Sequence, residues 1–401
     1  MKKIVAIGLC IPERRGIRVP VKMQTGQTGS FPQIQQDPAI EFLQKLRTHP
    51  QNRKKLLEKK FIDKFTTAVS ALEYPIKDIN YIIYITMSLI ILTEDPLLPP
   101  QLSPAIPALT KAFISLASHY TLTTQERALL QHTTLALANL AQNPEARTQI
   151  LATDGVIQAL TEFVINLTPE YSTLTPHNKN LLQYIILALA NLAQDQTART
   201  QILATDEIIQ TLTEFVINLA SKDRTLTTQQ ITLLQDITLA LANLTQNQRA
   251  RTQILATDGV IQALTTFVTK LNSHRALTTQ QTDILYHTTI IIARLAATTE
   301  GQQILARNKA VSTLTKLFTR LASQDLLTTE QTDILYYATL IIESLAQEPD
   351  AQKQIRDTKE AIDALNKWAT LKNRDSLPQA ESTISHVAAA TLKILSENSD
   401  A

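Results

Sequence analysis

A chain of 401 residues with 38 Lys and Arg against 36 Asp and Glu has a net charge of only +2, so taken whole it forms no electrostatic trap for nucleic acid. Hydrophobic residues make up 44%, enough for a continuous core, while seven glycines, four of them before residue 30, leave little material for phosphate-cradling loops or strained nucleophile turns. A single cysteine, Cys10, excludes disulfides within the chain, and no apolar run reaches the roughly 18 residues that a membrane-spanning helix needs.

Met1-Lys2-Lys3 and the apolar stretch 4–10 mimic a signal peptide, but Glu13-Arg14-Arg15 follows at once, which argues against cleavage. Residues 11–38, with Pro12, Pro20, Pro32, Pro38 and the Gly-rich 24–30, read as a flexible arm. Residues 1–64 carry about +9 and the remainder about −7. Arg53, Lys60 and Lys64 fall on one helical face, which suits a solvated capping surface or contact with an acidic partner or anionic membrane surface. The apolar run 81–92 reads as a buried helix. The expected organisation is a basic arm over 1–37, capping helices and a first repeat over 38–96, central repeats over 97–348 and a C-terminal capping repeat over 349–401.

From about residue 52 the sequence repeats itself. The segment 146–154, Ala-Arg-Thr-Gln-Ile-Leu-Ala-Thr-Asp, returns at 198 and at 250, and Leu-Ala-Asn-Leu ends at Leu140, Leu192 and Leu244, all in steps of 52. Weaker copies end at Leu295, Leu345 and Leu395, and residues 91–96 align with 139–144. A period of this size marks a supersecondary unit that cannot bury its apolar faces alone and must stack on copies of itself.

In the unit from Ala198, a short first helix is expected over 198–204, with Thr205 and Asp206 placed to cap the second. The second runs to about Leu219 with Ile209, Leu212, Phe215, Val216 and Leu219 on one face. After the polar link 221–224, Thr227-Thr-Gln-Gln230 forms a capping box that opens the third helix, with Leu226 and Ile231 placed as a hydrophobic staple. The box recurs at 123–126, 278–281 and 328–331, and Thr175 is followed by Pro176, which suits the first helical position. The third helix runs to about Gln246 and is apolar nearly all round, as an inner layer is.

Residues 143–160 (Asn-Pro-Glu-Ala-Arg-Thr-Gln-Ile-Leu-Ala-Thr-Asp-Gly-Val-Ile-Gln-Ala-Leu), 103–109 (Ser-Pro-Ala-Ile-Pro-Ala-Leu) and 135–141 (Leu-Ala-Leu-Ala-Asn-Leu-Ala) resemble the armadillo repeat, with HEAT-like repeats as near neighbours. The resemblance covers roughly 52–398 and implies an all-α, right-handed α-solenoid of about seven repeats of about 50 residues, three helices each, with third helices lining a concave face. The period exceeds the roughly 40–47 residues of the class, and the surplus lies between second and third helices, so one edge should carry longer loops. Peptide-binding members carry a Trp four residues before the third-helix Asn. Here Asn139, Asn191 and Asn243 match, but the Trp positions are Leu135, Leu187 and Leu239, which tells against capture of nuclear-signal-type peptides and leaves the Asn ladder.

Positions seven and eight before the Asn share its face. Seven back gives His132, Tyr184, Asp236, His287 and Tyr337; eight back gives Gln131, Gln183, Gln235, Tyr286 and Tyr336; the Asn position itself becomes Arg294 and Ser344. These positions differ between units whose other residues are nearly copied, as in a groove tuned to an irregular partner. Asn amides can bond a peptide backbone and Tyr favours interfaces; the alternative is that Asn bonds neighbouring helices and Tyr fills the stack. The expected function is a protein-interaction scaffold that binds a protein or extended peptide along the concave face, without nucleic acid, metal or cofactor. The seven His residues lie in no metal-ligand spacing, Cys10 has no paired His motif, and no enzymatic activity is expected. The alternatives are an assembly module that self-associates through edges or ends, and a bacterial effector that engages host proteins, the latter by fold-level analogy. A cytoplasmic site of action is expected, reached by delivery into a host cell in the effector case.

Overall fold

A computed structural model describes residues 63, 66–67, 79–93, 102–119, 122–168, 171–205, 207–221, 226–274, 276–308, 310–324, 326–370 and 379–397. The expectations for the basic arm, Cys10 and the first capping helices lie outside the described residues, apart from isolated positions. Among the described residues all regular structure is helical. The chain divides into two compact units, Met1–Thr153 and Asp154–Ala401.

The first unit contains α1 (Ile79–Thr93), α2 (Ala105–Ala117), α3 (Thr124–Leu140) and α4 (Pro144–Leu151). Helices α1 and α2 both lie on α3, and α4 packs on α2. The apolar run at 81–92 is α1, whose Ile82, Leu89, Ile90 and Leu92 are buried in this packing. Among the described residues no single helix is long and apolar enough to cross a membrane.

The second unit opens with α5 (Val156–Leu167) and α6 (Pro176–Leu192) and then runs through four triplets of helices. These are α7 (Gln196–Ile202), α8 (Glu207–Ala220) and α9 (Thr228–Leu244); α10 (Gln248–Leu255), α11 (Val260–Asn272) and α12 (Thr279–Ala296); α13 (Thr299–Arg307), α14 (Ala310–Ala322) and α15 (Thr329–Leu345); and α16 (Pro349–Arg356), α17 (Lys359–Thr370) and α18 (Gln379–Glu397). Each second helix packs on the next second helix (α5, α8, α11, α14, α17), and each third helix on the next third helix (α6, α9, α12, α15, α18). Two layers therefore grow in step, the stacking expected of a helical repeat array.

Local chemistry explains the boundaries. The four capping boxes form as expected: Thr123, Thr227, Thr278 and Thr328 each accept the N3 amide while Glu126, Gln230, Gln281 and Gln331 accept the cap amide in return. Thr175 caps α6 with Pro176 in its first turn. The first helix of the 198 unit begins at Gln196, earlier than expected, because the Asp195 carboxylate accepts the amides of Thr197 and Ala198 at 2.7 and 3.1 Å. In the sister units Asn143 likewise accepts the amides of Glu145 and Ala146, and Asn247 accepts that of Arg249. The third helix ends at Leu244, short of Gln246, because Asn247 already caps α10.

The Thr or Asp cap expected for the second helix concerns the 198 unit alone, and its sister units make this turn with glycine. In two units the cap residue is Gly155 or Gly259, at φ of 82° and 81°, a left-handed conformation that disfavours other residues. Asp206 lies outside the described residues.

Two features hold a unit to the helix before it. Arg147, Arg199 and Arg251 each donate Nη1 to the last carbonyls of the preceding third helix, for example to Ala193 and Gln194, both at 2.9 Å. A cation there also complements the negative end of the helix dipole. Threonine is tolerated in the core because its hydroxyl donates one turn back: Thr133 to Leu129 O, Thr213 to Ile209 O, Thr289 to Leu285 O and Thr339 to Leu335 O.

Candidate functional site

The candidate residues all lie on third helices. In the second unit Asn243 donates Nδ2 to the carbonyl oxygen of Ala190 on the preceding third helix at 2.8 Å. One repeat later Arg294 donates Nη1 to the equivalent oxygen of Ala242 and lies 3.4 Å from Thr245 Oγ1. In the first unit Asn139 donates Nδ2 to Thr93 Oγ1 at 3.3 Å, and Thr93 is the repeat counterpart of Thr245. This row therefore clamps successive third helices together, the stacking role weighed above as the alternative to groove lining. Asn139, Asn191 and Arg294 are buried and Asn243 is half-buried. Burial pulls the Arg294 guanidinium down to about 10, against the opposing pull of Tyr337 and Tyr286 nearby.

The rows seven and eight residues back meet each other across the seams. Gln183 hydrogen-bonds Asp236 on the next third helix, and Tyr286 hydrogen-bonds Tyr337. In both pairs the residue eight back in one unit reaches the residue seven back in the next. Gln235 instead reaches Asp283, donating Nε2 at 2.9 Å. Much of the variation between copied units is thus matched pairing inside the stack, which no single helix reveals because it depends on how neighbours are registered.

One seam is left unsatisfied. Asp236 Oδ2, both ring nitrogens of His287 and Thr288 Oγ1 are buried without a hydrogen-bond partner. Burial holds the Asp236 carboxyl well above the ordinary range, against the bond from Gln183, and pulls His287 down to about 3, so the imidazole is uncharged at neutral pH. Among the described residues no three His, Cys, Asp or Glu side chains are placed to hold a metal ion.

What remains partly open on the third-helix face is a narrower set than the sequence offers: Tyr184, Asn243, Tyr286, Tyr336 and Ser344 in the second unit, and Gln131 and His132 in the first. Tyr286, Tyr336 and the buried Tyr337 form an edge-to-face cluster, with centroids 5.9 Å apart for Tyr286–Tyr337 and 5.1 Å for Tyr336–Tyr337. Carboxylates surround it. Burial and then the neighbouring Glu330 push Asp283 up to about 6. Burial raises Glu343, and burial followed by Glu343 raises the Tyr336 hydroxyl. These acids were not among the candidates, although Thr-Asp-Ile-Leu-Tyr at 282–286 and again at 332–336 places an Asp one turn before each tyrosine.

No family model matches the chain, and no curated protein matches it. The chain is an all-helical repeat protein. Among solved structures it is similar to the crystal structure of an engineered protein at 18% identity and a TM-score of 0.48, over 73% of this chain and 97% of that one. It is also similar to the SYS-1/POP-1 complex at 11% identity and a TM-score of 0.48, over 89% of this chain and 73% of that one. Likenesses this distant carry no function across; the repeat architecture rests on this chain's own capping, contacts and periodicity.

Proposed function

We propose that this protein is an armadillo-like interaction scaffold that holds a protein or extended peptide along its third-helix face. The observation that carries the reading is that Tyr184, Asn243, Tyr286 and Tyr336 lie half-buried on third helices whose side chains beyond the first turn are mostly buried. Tyrosines held partly open by a rigid layer offer large contact area at low entropic cost, the anchor type enriched at interfaces. The short first helix, the Asn at the end of three third helices and the armadillo-like wording of 143–160 support the same reading. A binding module, rather than an enzyme, is what this arrangement suits.

The test is site-specific photocrosslinking in cell extract. A crosslinker placed at Tyr184, Tyr286 or Tyr336 should capture one common partner, while the same group at the exposed second-helix positions Glu214 and Lys316 should not. Equal capture from both faces would refute the assignment.

A further inference from the structure

The register of the third layer calls for a contact that the α9–α12 seam does not make. At the junctions on either side, the residue eight back on one third helix meets the residue seven back on the next: Gln183 bonds Asp236, and Tyr286 bonds Tyr337. By the same register Gln235 belongs opposite His287. Instead the Gln235 amide donates Nε2 to Asp283 Oδ2, one turn earlier on α12, at 2.9 Å. His287, 3% exposed, is left with neither ring nitrogen bonded, and Gln235 and Asp283 are buried with it. One buried amide thus faces two acceptors a turn apart and serves only the first, although a neutral imidazole also keeps one nitrogen as an acceptor.

Charge decides between the two. A hydrogen bond to an ionised carboxylate is roughly twice as strong as one between neutral groups, so an ionised Asp283 wins the amide. Its ionisation is itself held in check: burial and then Glu330 of α15 raise the carboxyl to about 6, whereas His287 stays neutral down to about 3. Once protonated, the carboxyl becomes a donor. The amide oxygen of Gln235 then suits Asp283, and its Nε2 is released toward the imidazole. The other charged groups on the helices packed against α12 are engaged elsewhere or exposed. Asp236 of α9 is bonded to Gln183, Arg251 of α10 lies on the carbonyls of Thr245 and Gln246, and Lys270 of α11 lies on that of Ala220. Arg249 of α10 and Glu300 and Arg307 of α13 are exposed. On α15, Asp333 and Glu343 act on Tyr337 and Tyr336.

We propose that the α9–α12 seam is a proton-operated side-chain switch: with Asp283 ionised the Gln235 amide holds the carboxylate, and when Asp283 takes up a proton its hydroxyl donates to Gln235 Oε1 while Gln235 Nε2 turns to His287. The His287 ring lies against Tyr286, at 5.5 Å between centroids, so the switch sits directly behind the open third-helix face. It does not depend on what that face binds.

The experiment follows the full chain, labelled with ring-15N histidine, by NMR between about pH 7.5 and about pH 4.5. His287 is identified by the signal lost in His287→Leu. Its nitrogens should keep the shifts of a neutral imidazole throughout, while one of them moves to the shift of a hydrogen-bonded acceptor with a midpoint near 6, the value of Asp283. Gln235→Leu should hold that nitrogen at the unbonded shift at every pH, and Asp283→Asn should abolish the pH response. Glu330→Gln, an exposed change that leaves the core intact, should move the midpoint to lower pH because it removes the repulsion on Asp283. That variant decides the matter even if the two core variants fail to fold. His287 nitrogens that stay flat in the wild type, a response that persists in folded Gln235→Leu, a midpoint that ignores Glu330→Gln, or an imidazole that protonates near 6.5 would each overturn the proposal.

Discussion

The buried imidazole of His287 makes a quantitative prediction. Its two nitrogens have no partners and burial carries it from 6.5 down to about 3, so the folded chain resists protonation there while the unfolded chain does not. The sign follows: a lowered folded value means that the unfolded state binds more protons, and stability falls as pH drops below 6.5, levelling off near 3. The full displacement corresponds to roughly 5 kcal/mol between charged and neutral imidazole, of which about 2 kcal/mol is felt at pH 5 and about 3 kcal/mol at pH 4. Replacing His287 with Leu strands no hydrogen-bonding partner, so the difference between the two proteins isolates the imidazole. Urea midpoints of the helical signal at pH 7, 5 and 4 should show the wild type falling progressively behind His287→Leu by those amounts. Midpoints that stay parallel across the three pH values, or a His287 ring resonance that titrates near 6.5, would refute the reasoning.

Asp283 should behave oppositely. Its carboxyl sits near 6 in the folded chain, first through burial and then through Glu330, so relative to Asp283→Asn the wild type should lose stability as pH rises from about 4 through 6, read from the same midpoints. Gly301 occupies the position held by Ala146, Ala198 and Ala250 in sister units, yet a Cβ there would lie 2.0 Å from the Leu295 carbonyl oxygen. Gly301→Ala should therefore destabilise by about 1–3 kcal/mol in thermal melts, whereas Ala250→Gly should cost only about 1 kcal/mol. Thr227→Ala removes one half of a capping box and should cost about 1 kcal/mol, with faster amide exchange confined to the first turn of α9. Arg251→Met withdraws the clasp on Thr245 O and Gln246 O and should speed exchange at the junction of α9 and α10 before it lowers the global midpoint.

The unit, its period and its third-helix starts were legible in the sequence because each rests on local chemistry: Thr and Gln or Glu three apart make a capping box wherever they fall before an apolar run. The first-helix caps at Asn143, Asp195 and Asn247 were as local and could have been read from the same rule. What could not be read was the use of the face. The rows that vary between copies follow helical spacing, but whether Gln183 meets solvent or Asp236 is set by how two helices, some 50 residues apart in sequence, lie against each other. The acids around Tyr286 and Tyr336 were missed for a related reason: Glu343 and Asp283 fall outside the rows counted from the Asn, and only the packing of α12 on α15 sets Asp283 near Glu330.

The pairing of row eight with row seven bears on how such an array keeps its length. Units copied almost verbatim invite unequal recombination, which would excise or insert a whole period without breaking a helix. Removing residues 194–245 would leave every cap and turn intact and would set Gln183, which holds the same place in its helix as Gln235, before Asp283. The glutamine shared by successive copies thus lets a junction accept a unit other than its own neighbour, so an array of this kind can change length by a whole period without stranding that carboxyl.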